Sequence, residues 1–172
     1  MKTLCIYCCG GMGREIADLT AQLNKWDKII FVDDNITKRV INEIDVYTLP
    51  EVLEQYNPDE IEFIVTAGEP ASRKALYEKL NHKHLEYINI YHPQFQLSKF
   101  TTIKKGTILH AGSVVTCNID IGYGCLINKH AVIGHDVTIG DYCVLSPNTS
   151  IGADVEIGNN CFLGSGAMIK NK

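Results

Sequence analysis

The chain has 172 residues, room for one medium domain or two small ones, and folding at this length buries roughly 70% of the unfolded surface. A composition 45% hydrophobic and 21% charged is that of an ordinary soluble globular protein. The formal net charge of −4 argues against a nucleic-acid partner, which needs a basic stripe, so any phosphate held here relies on backbone N–H groups and a few local cations.

The N-terminal half alternates short apolar runs with helical patterns. Leu4–Cys8, Ile29–Val32 and Ile61–Val65 are rich in β-branched residues and predict strands. Arg14–Leu23, Pro50–Gln55 and Ser72–Leu80 carry apolar residues at helical spacing, the second opening with proline at a first-turn position. This alternation predicts a small parallel sheet flanked by helices, a Rossmann-like α/β domain. A last strand, Tyr87–Ile90, runs into Tyr91-His92-Pro93, where proline ends regular pairing. The domain boundary is placed there, giving residues 1–92 and 93–172. The run Leu4–Cys9 is too short for a signal-peptide core, and no run approaches the roughly 20 apolar residues of a membrane span, so a cytoplasmic protein with no membrane partner is expected. Seven cysteines, an odd count without an export signal, read as free thiols, and no cysteine spacing supports a zinc knuckle.

Beyond Pro93 the period changes. An aliphatic residue stands at every sixth position: Leu97, Ile103, Leu109, Val115, Ile121, Ile127, Ile133, Ile139, Leu145, Ile151, Ile157, Leu163 and Ile169. Glycine follows at Gly122, Gly134, Gly140, Gly152, Gly158 and Gly164, where a tight corner is expected to need a permissive backbone. Small or β-branched residues such as Thr101, Thr107, Ser113, Ala131 and Thr149 stand two places before the aliphatics. A hexad this strict predicts an all-β parallel β-helix, one hexad to each side. Three sides make an 18-residue coil, so residues 18 apart stack about 4.8 Å apart. Thr107, Cys125, Cys143 and Cys161 then form one interior column of small, buried fillers.

Four stretches carry a resemblance: Cys9-Gly10-Gly11-Met12-Gly13, Phe31-Val32-Asp33-Asp34, Asn89-Ile90-Tyr91-His92-Pro93, and Asn128 through Gly140. They resemble the bacterial hexapeptide-repeat family of sugar-nucleotide N-acetyltransferases and sialic acid O-acetyltransferases, from Leu4 to the last residue. The resemblance implies a left-handed β-helix, an exception to the usual right-handed crossover. It also implies a homotrimer and transfer of an acetyl group from acetyl-CoA to the amine of a nucleotide-linked amino sugar, for glycan or surface polysaccharide synthesis. A sialic acid-type O-acetyltransferase and a non-catalytic nucleotide-sugar-binding relative are the alternatives.

The glycine loop Gly11-x-Gly13 lacks the third glycine of the dinucleotide fingerprint, since Ile16 occupies that place. A glycine turn between strand and helix still lets backbone N–H groups approach a diphosphate. Asp33 and Asp34, about 20 residues on, stand where a carboxylate accepts bonds from a ribose or base. The resemblance implies that Gly10, Gly11, Met12, Asp33 and Asp34 bind the nucleotide sugar. Two positions depart from the family: Cys8 replaces a usual glycine and Met12 a common histidine.

Acetyl transfer from a thioester needs a base to take the proton of the attacking amine or hydroxyl, and a neutral imidazole suits that near pH 7. His135 follows Ile133-Gly134, so it projects from a coil corner, and Asp136 beside it can orient the ring and stabilise the imidazolium. The resemblance places the family's base at His135 with its acidic neighbour at Asp136, and an asparagine near the reacting centre at Asn128. It also places backbone contacts to acetyl-CoA at Gly164, Ser165 and Gly166. Val144 replaces a histidine that often helps hold acetyl-CoA, and the chain stops at Lys172 where relatives usually continue. Lys170 and Lys172 supply charge at that end, and the nucleotide sugar is expected to bind more firmly than acetyl-CoA. His110 and His130 are expected at corners between neighbouring subunits, and His82 and His84 in a polar connection. Carbonic anhydrases on this fold bind zinc through histidines five apart, the spacing of His130 and His135. Their phase differs, because there the first histidine follows Ile-Gly and here position 140 is Gly140, so no metal is expected.

Overall fold

A computed structural model describes residues 2–35, 37–95 and 97–171; Lys172, one of the terminal charges named above, lies outside them. Two compact units emerge, Met1–Ala67 with Ala75–Ile88, and Gly68–Lys74 with Asn89–Lys172.

In the first unit, β1 (Thr3–Tyr7) is buried along its whole length, as expected of a strand covered on both faces. It pairs in parallel with β2 (Lys28–Val32) on one side and β5 (Ile61–Val65) on the other. Between β1 and β2 runs α1 (Gly11–Leu23), which buries Ile16, Ala17 and Leu19 and ends at Asn24 in the left-handed conformation typical of a helix C-cap. Helix α2 (Leu49–Gln55) opens on a capping box, with Thr48 N–H bonded to Glu51 at 2.8 Å and Glu51 N–H returned to Thr48 Oγ1. Helix α3 spans Pro70–His82. The sequence reading missed a hairpin: β3 (Val40–Ile41) pairs antiparallel with β4 (Ile44–Tyr47), which joins β2 in parallel, giving the sheet order β3-β4-β2-β1-β5. Its turn residues Asn42 and Glu43 both have positive φ, the geometry of a two-residue hairpin loop, but the glycine that usually signals it is absent.

The second unit is the β-helix. Its strands stack into three parallel sheets whose partners lie 18 residues apart, as in Ile121↔Ile139, Ile127↔Leu145 and Ile133↔Ile151. The hexad aliphatics from Leu109 to Leu163 fill one continuous core, with Ile103 and Ile169 packed against it. Thr107, Cys125 and Cys143 are fully buried in their column, and Cys161 is partly so. Arg73, also fully buried, donates from Nε to Gly124 O at 2.7 Å and from Nη2 to Cys125 O at 3.4 Å.

Three expectations are corrected. Strand β6 is Ile90–Tyr91 and pairs with Ile108–Leu109, so Asn89 onward belongs to the β-helix and the division falls before Asn89 rather than after His92. Leu97 keeps the six-residue phase but is exposed and outside any strand; regular stacking of that side begins with Val114–Val115. The glycines after the aliphatics do not serve corner conformation. Positive φ falls two places later, at every sixth residue from Gly106 through Asn118, Asp136 and Asn148 to Gly166. The glycine is needed because the next coil lies on it: a Cβ on Gly140 would sit 2.7 Å from both Asn159 N and Gly158 C.

That distinction is measurable. Gly140→Ala should destabilise the fold by about 1–3 kcal/mol, the usual cost of overpacking. Gly158→Ala, one coil on in the same column, meets nothing within 4 Å. It should stay within about 0.5 kcal/mol of the parent in chemical denaturation.

Candidate functional site

The loop after β1 turns sharply at Cys8, whose φ of 80° is one that glycine adopts more easily, which accounts for glycine at this place in the resembled family. Gly13 packs so closely that a Cβ there would collide with Cys8 O and lie 3.1 Å from Cys8 C. Helix α1 starts at once from Gly10, which offers no side-chain cap. Beside this turn a cleft of about 610 Å³ opens, lined by Cys9, Gly10, Arg14, Asp33, Thr37, Lys38, Val40, Ile41 and Asn42. Of the five nucleotide-binding candidates in this unit, Gly10 and Asp33 line it; Gly11, Met12 and Asp34 do not. Asp33 accepts bonds from Cys9 N at 3.3 Å, Cys9 Sγ at 3.4 Å and Asn35 N at 3.1 Å. Burial, then the Asp33 carboxylate, pushes the Cys9 thiol up to about 11, so it stays protonated.

Asp34 is engaged elsewhere. Its carboxylate accepts from Tyr7 OH, from Lys79 Nζ at 2.6 Å and from Leu49 N at 2.8 Å, at the start of α2. Burial works to raise this carboxyl, but Lys79, Tyr7 and the Leu49 N–H together hold it below the ordinary value. Asp34 therefore anchors the loop after β2. Arg14 and Lys38 were missed by the sequence reading, because a single cation in a short segment has no signature until the fold brings it to a cleft.

In the β-helix, His135 and Asp136 form a pair at an exposed corner. His135 Nδ1 lies 2.6 Å from Asp136 Oδ2, with side chains 58% and 45% exposed. Asp136 occupies the positive-φ corner position, which aspartate tolerates better than most residues. Its second oxygen accepts from Asn118 Nδ2 at 2.9 Å, one coil back. His135, then Asn118, hold the Asp136 carboxyl below its ordinary value. Backbone bonds from Asp136 N to Cys117 O and from Asp154 N to His135 O, both 3.2 Å, pin the pair between coils.

The remaining candidates are distributed around the coil. Asn128 is buried at the corner after Leu126–Ile127, while His135 follows Val132–Ile133, so one chain does not bring them together. Its Oδ1 accepts from Lys129 N at 2.8 Å. His110, expected between subunits, is buried in its own chain and accepts from Ala111 N at 2.8 Å. His130 is exposed and packs over Gly112 at a different corner from His135. Gly164, Ser165 and Gly166 are exposed, with Gly166 N–H already donating to Pro147 O at 3.0 Å. Cys5 and Cys8 are three residues apart, but Cys5 is fully buried inside β1, and its thiol is pushed up to about 12 by that burial. Among the described residues no group of three or more histidine, cysteine or acidic side chains is placed to hold a metal, and no helix is long and apolar enough to cross a membrane.

Residues 3–80 match the family model of the PglD N-terminal domain, and residues 118–153 and 136–171 match that of the bacterial transferase hexapeptide, six repeats. Among solved structures, the chain is similar to a variant of GDP-perosamine N-acetyl transferase from Caulobacter crescentus in complex with CoA and GDP-perosamine. The identity is 18% and the TM-score 0.79, over 100% of this chain and 90% of that one. It is similar to WeeI from Acinetobacter baumannii AYE at 18% identity and a TM-score of 0.72, over 99% and 90% of the two chains. It is also similar to the acetyltransferase domain of PglB from Neisseria gonorrhoeae FA1090 at 23% identity and a TM-score of 0.64, over 98% and 91%. No curated protein matches the sequence significantly. The repeats are thus the left-handed β-helix of these folds. By these matches the chain joins a region similar to the PglD N-terminal domain, residues 3–80, to bacterial transferase hexapeptide repeats within residues 118–171.

Proposed function

We propose that the chain is an acetyltransferase that moves an acetyl group from acetyl-CoA to the amine of a nucleotide-linked amino sugar. The observation that carries this reading is the His135–Asp136 pair. With Nδ1 held by the carboxylate, the proton resides there and Nε2 presents its lone pair to solvent. Nε2 takes the proton of the amine as its nitrogen attacks the thioester carbonyl, and Asp136 stabilises the imidazolium that forms. When the tetrahedral intermediate collapses, the C–S bond breaks and the imidazolium returns a proton to the departing CoA sulfur. The same base would serve a hydroxyl; the amine is favoured by the likeness to a GDP-perosamine N-acetyl transferase. Acetyl-CoA as donor is supported by the PglB domain, solved in complex with acetyl coenzyme A. Gly164 and Ser165, exposed late in the coil series, are its proposed backbone contacts, with Gly166 shaping the corner.

A homotrimer with its reacting centres between adjacent β-helices is part of this reading. The three outer faces differ. One carries Thr102, Asp120, Thr138 and Glu156, which suit water. The second carries Ile108, Leu126 and Val144, all buried, and Phe162, 53% exposed. The third carries Val114, Val132, Ser150 and Met168, of which Val114 is 47%, Val132 42% and Met168 74% exposed. An exposed apolar ladder of this kind favours association, and His135 follows directly from it. Asn128, on another corner, would then approach the base from a neighbouring subunit.

His135→Asn should keep the fold and lower the acetylation rate by about 10²–10⁴-fold, the usual loss on removing a positioned base. Asp136→Asn should cost less, because orientation is impaired but the base remains. A His135 variant with near-parental turnover would overturn the assignment. Light scattering should give about three times the 19.1 kDa chain mass; a monomer that turned over substrate would exclude the intersubunit site. In carboxylate NMR titrations Asp136 should titrate below 3.8, and His135→Asn should raise it further than Asn118→Ala does, following the order of the two contributions. A carboxyl held low in the folded state stabilises it above the unfolded value, and that stability is lost as pH falls through the folded value. The His135 variant should therefore lose less stability than the parent on acidification below about pH 4.

A further inference from the structure

We propose that Cys117 is a self-acetylation site, taking the acetyl group of acetyl-CoA as an enzyme-bound thioester when no acceptor amine is present. This rests on the acetyltransferase reading of His135 and adds a nucleophile to the same corner. Register places the two residues together. Val114 pairs with Val132 and Val115 with Ile133, so Cys117 stands one coil behind His135 in the same corner column. Neighbouring positions of such a column lie about 4.8 Å apart. Two bonds tie the coils here: Asp136 N–H donates to Cys117 O at 3.2 Å, and Asn118 Nδ2 donates to Asp136 Oδ1 at 2.9 Å. One coil further on the column holds Ala153, since Ile133 pairs with Ile151, so the thiol lies on one side of the imidazole only. Of the seven cysteines, Cys117 is the exposed one; Cys5, Cys9, Cys125 and Cys143 are buried, and Cys8 and Cys161 partly so. The neighbouring Cys125 holds the Cys143 thiol down to about 7, but Cys143 is sealed inside the coil, where acetyl-CoA does not reach.

A base that takes the proton of an amine lies about 3 Å from that nitrogen, and the carbonyl carbon under attack lies about 3–3.5 Å further on. The thioester carbonyl is thus held within about 6 Å of His135 Nε2, a reach comparable with the spacing between coils. With the place of the amine empty, the Cys117 thiol passes its proton to Nε2 and its sulfur attacks the carbonyl carbon. As the tetrahedral intermediate collapses, the C–S bond to CoA breaks and the C–S bond to Cys117 remains. The imidazolium returns the proton to the departing CoA sulfur, and nothing is oxidised or reduced. One thioester replaces another, so the exchange is reversible and the acetyl group keeps its capacity for transfer. A thiol suits this role because it is intrinsically more nucleophilic than a hydroxyl at neutral pH.

Incubation of the full chain with acetyl-CoA alone, followed by mass spectrometry of the intact protein and its peptides, tests this. One acetyl group should appear, on the peptide containing Cys117, and either hydroxylamine or an excess of free CoA should remove it. Cys117→Ala should take up none. His135→Asn should acquire the group at least about tenfold more slowly, because the thiol loses the base beside it. Both residues are exposed, so thermal unfolding of the two variants should match the parent. Acetylation spread equally over Cys8, Cys117 and Cys161, or proceeding at the parental rate in His135→Asn, marks a merely accessible thiol and overturns the proposal. A parent protein that binds acetyl-CoA in calorimetric titration yet stays unmodified also overturns it, while leaving the acetyltransferase reading in place. A parent that neither binds acetyl-CoA nor is modified overturns that reading as well.

Discussion

The second unit depends on one constraint: each coil must satisfy its backbone hydrogen bonds on the coil 18 residues away. Ile108 N, Leu126 N and Val144 N donate in succession to Cys125 O, Cys143 O and Cys161 O at 2.9 Å. A sheet built this way leaves almost no freedom in register, because a slip of one residue would turn every hexad aliphatic outward. The corners must then turn within a few atoms, which places a left-handed backbone at every sixth residue. The space between coils is too small for a Cβ at glycines such as Gly122 and Gly140.

The His135–Asp136 pair inherits its geometry from that frame. Both backbones are bonded to adjacent coils, so the side chains project from a rigid corner, and the Asn118 amide steadies the carboxylate from the coil before. A base that is already oriented loses little entropy when substrate arrives. The N-terminal cleft is organised differently. Its groups sit on a glycine turn, a helix start and a short hairpin, and its shape rests on side-chain anchoring. Adjacent carboxylates part company there: Asp33 faces the cleft, and Asp34 ties the same loop to Lys79, Tyr7 and the first N–H of α2.

Legibility followed the strength of the period. The parallel sheet, its helices and the 18-residue coil were readable because apolar spacing reports which face is buried, and a strict hexad allows few alternatives. The hairpin Val40–Tyr47 was not, since Asn42-Glu43 lacks the glycine signal and its strands are short. Arg73 offered no clue either: a basic residue on a helix reads as solvated, and only the fold buries it against Gly124 O and Cys125 O. Leu97 matched the phase of the repeat, but phase alone does not supply a neighbouring coil to cover a side chain.

By itself the sequence determined the two periodicities, the three-sided coil, the interior cysteine column and the corner position of His135. Each of these is a local or periodic property, set by which residues recur at which spacing. The tertiary structure decided which of two neighbouring aspartates faces the cleft, that Arg14 and Lys38 meet there, that Asn128 and His135 occupy different corners, and why the hexad glycines are needed. Those outcomes depend on distances between segments far apart in the chain. Such distances appear only once sheet register and coil stacking have brought the segments together.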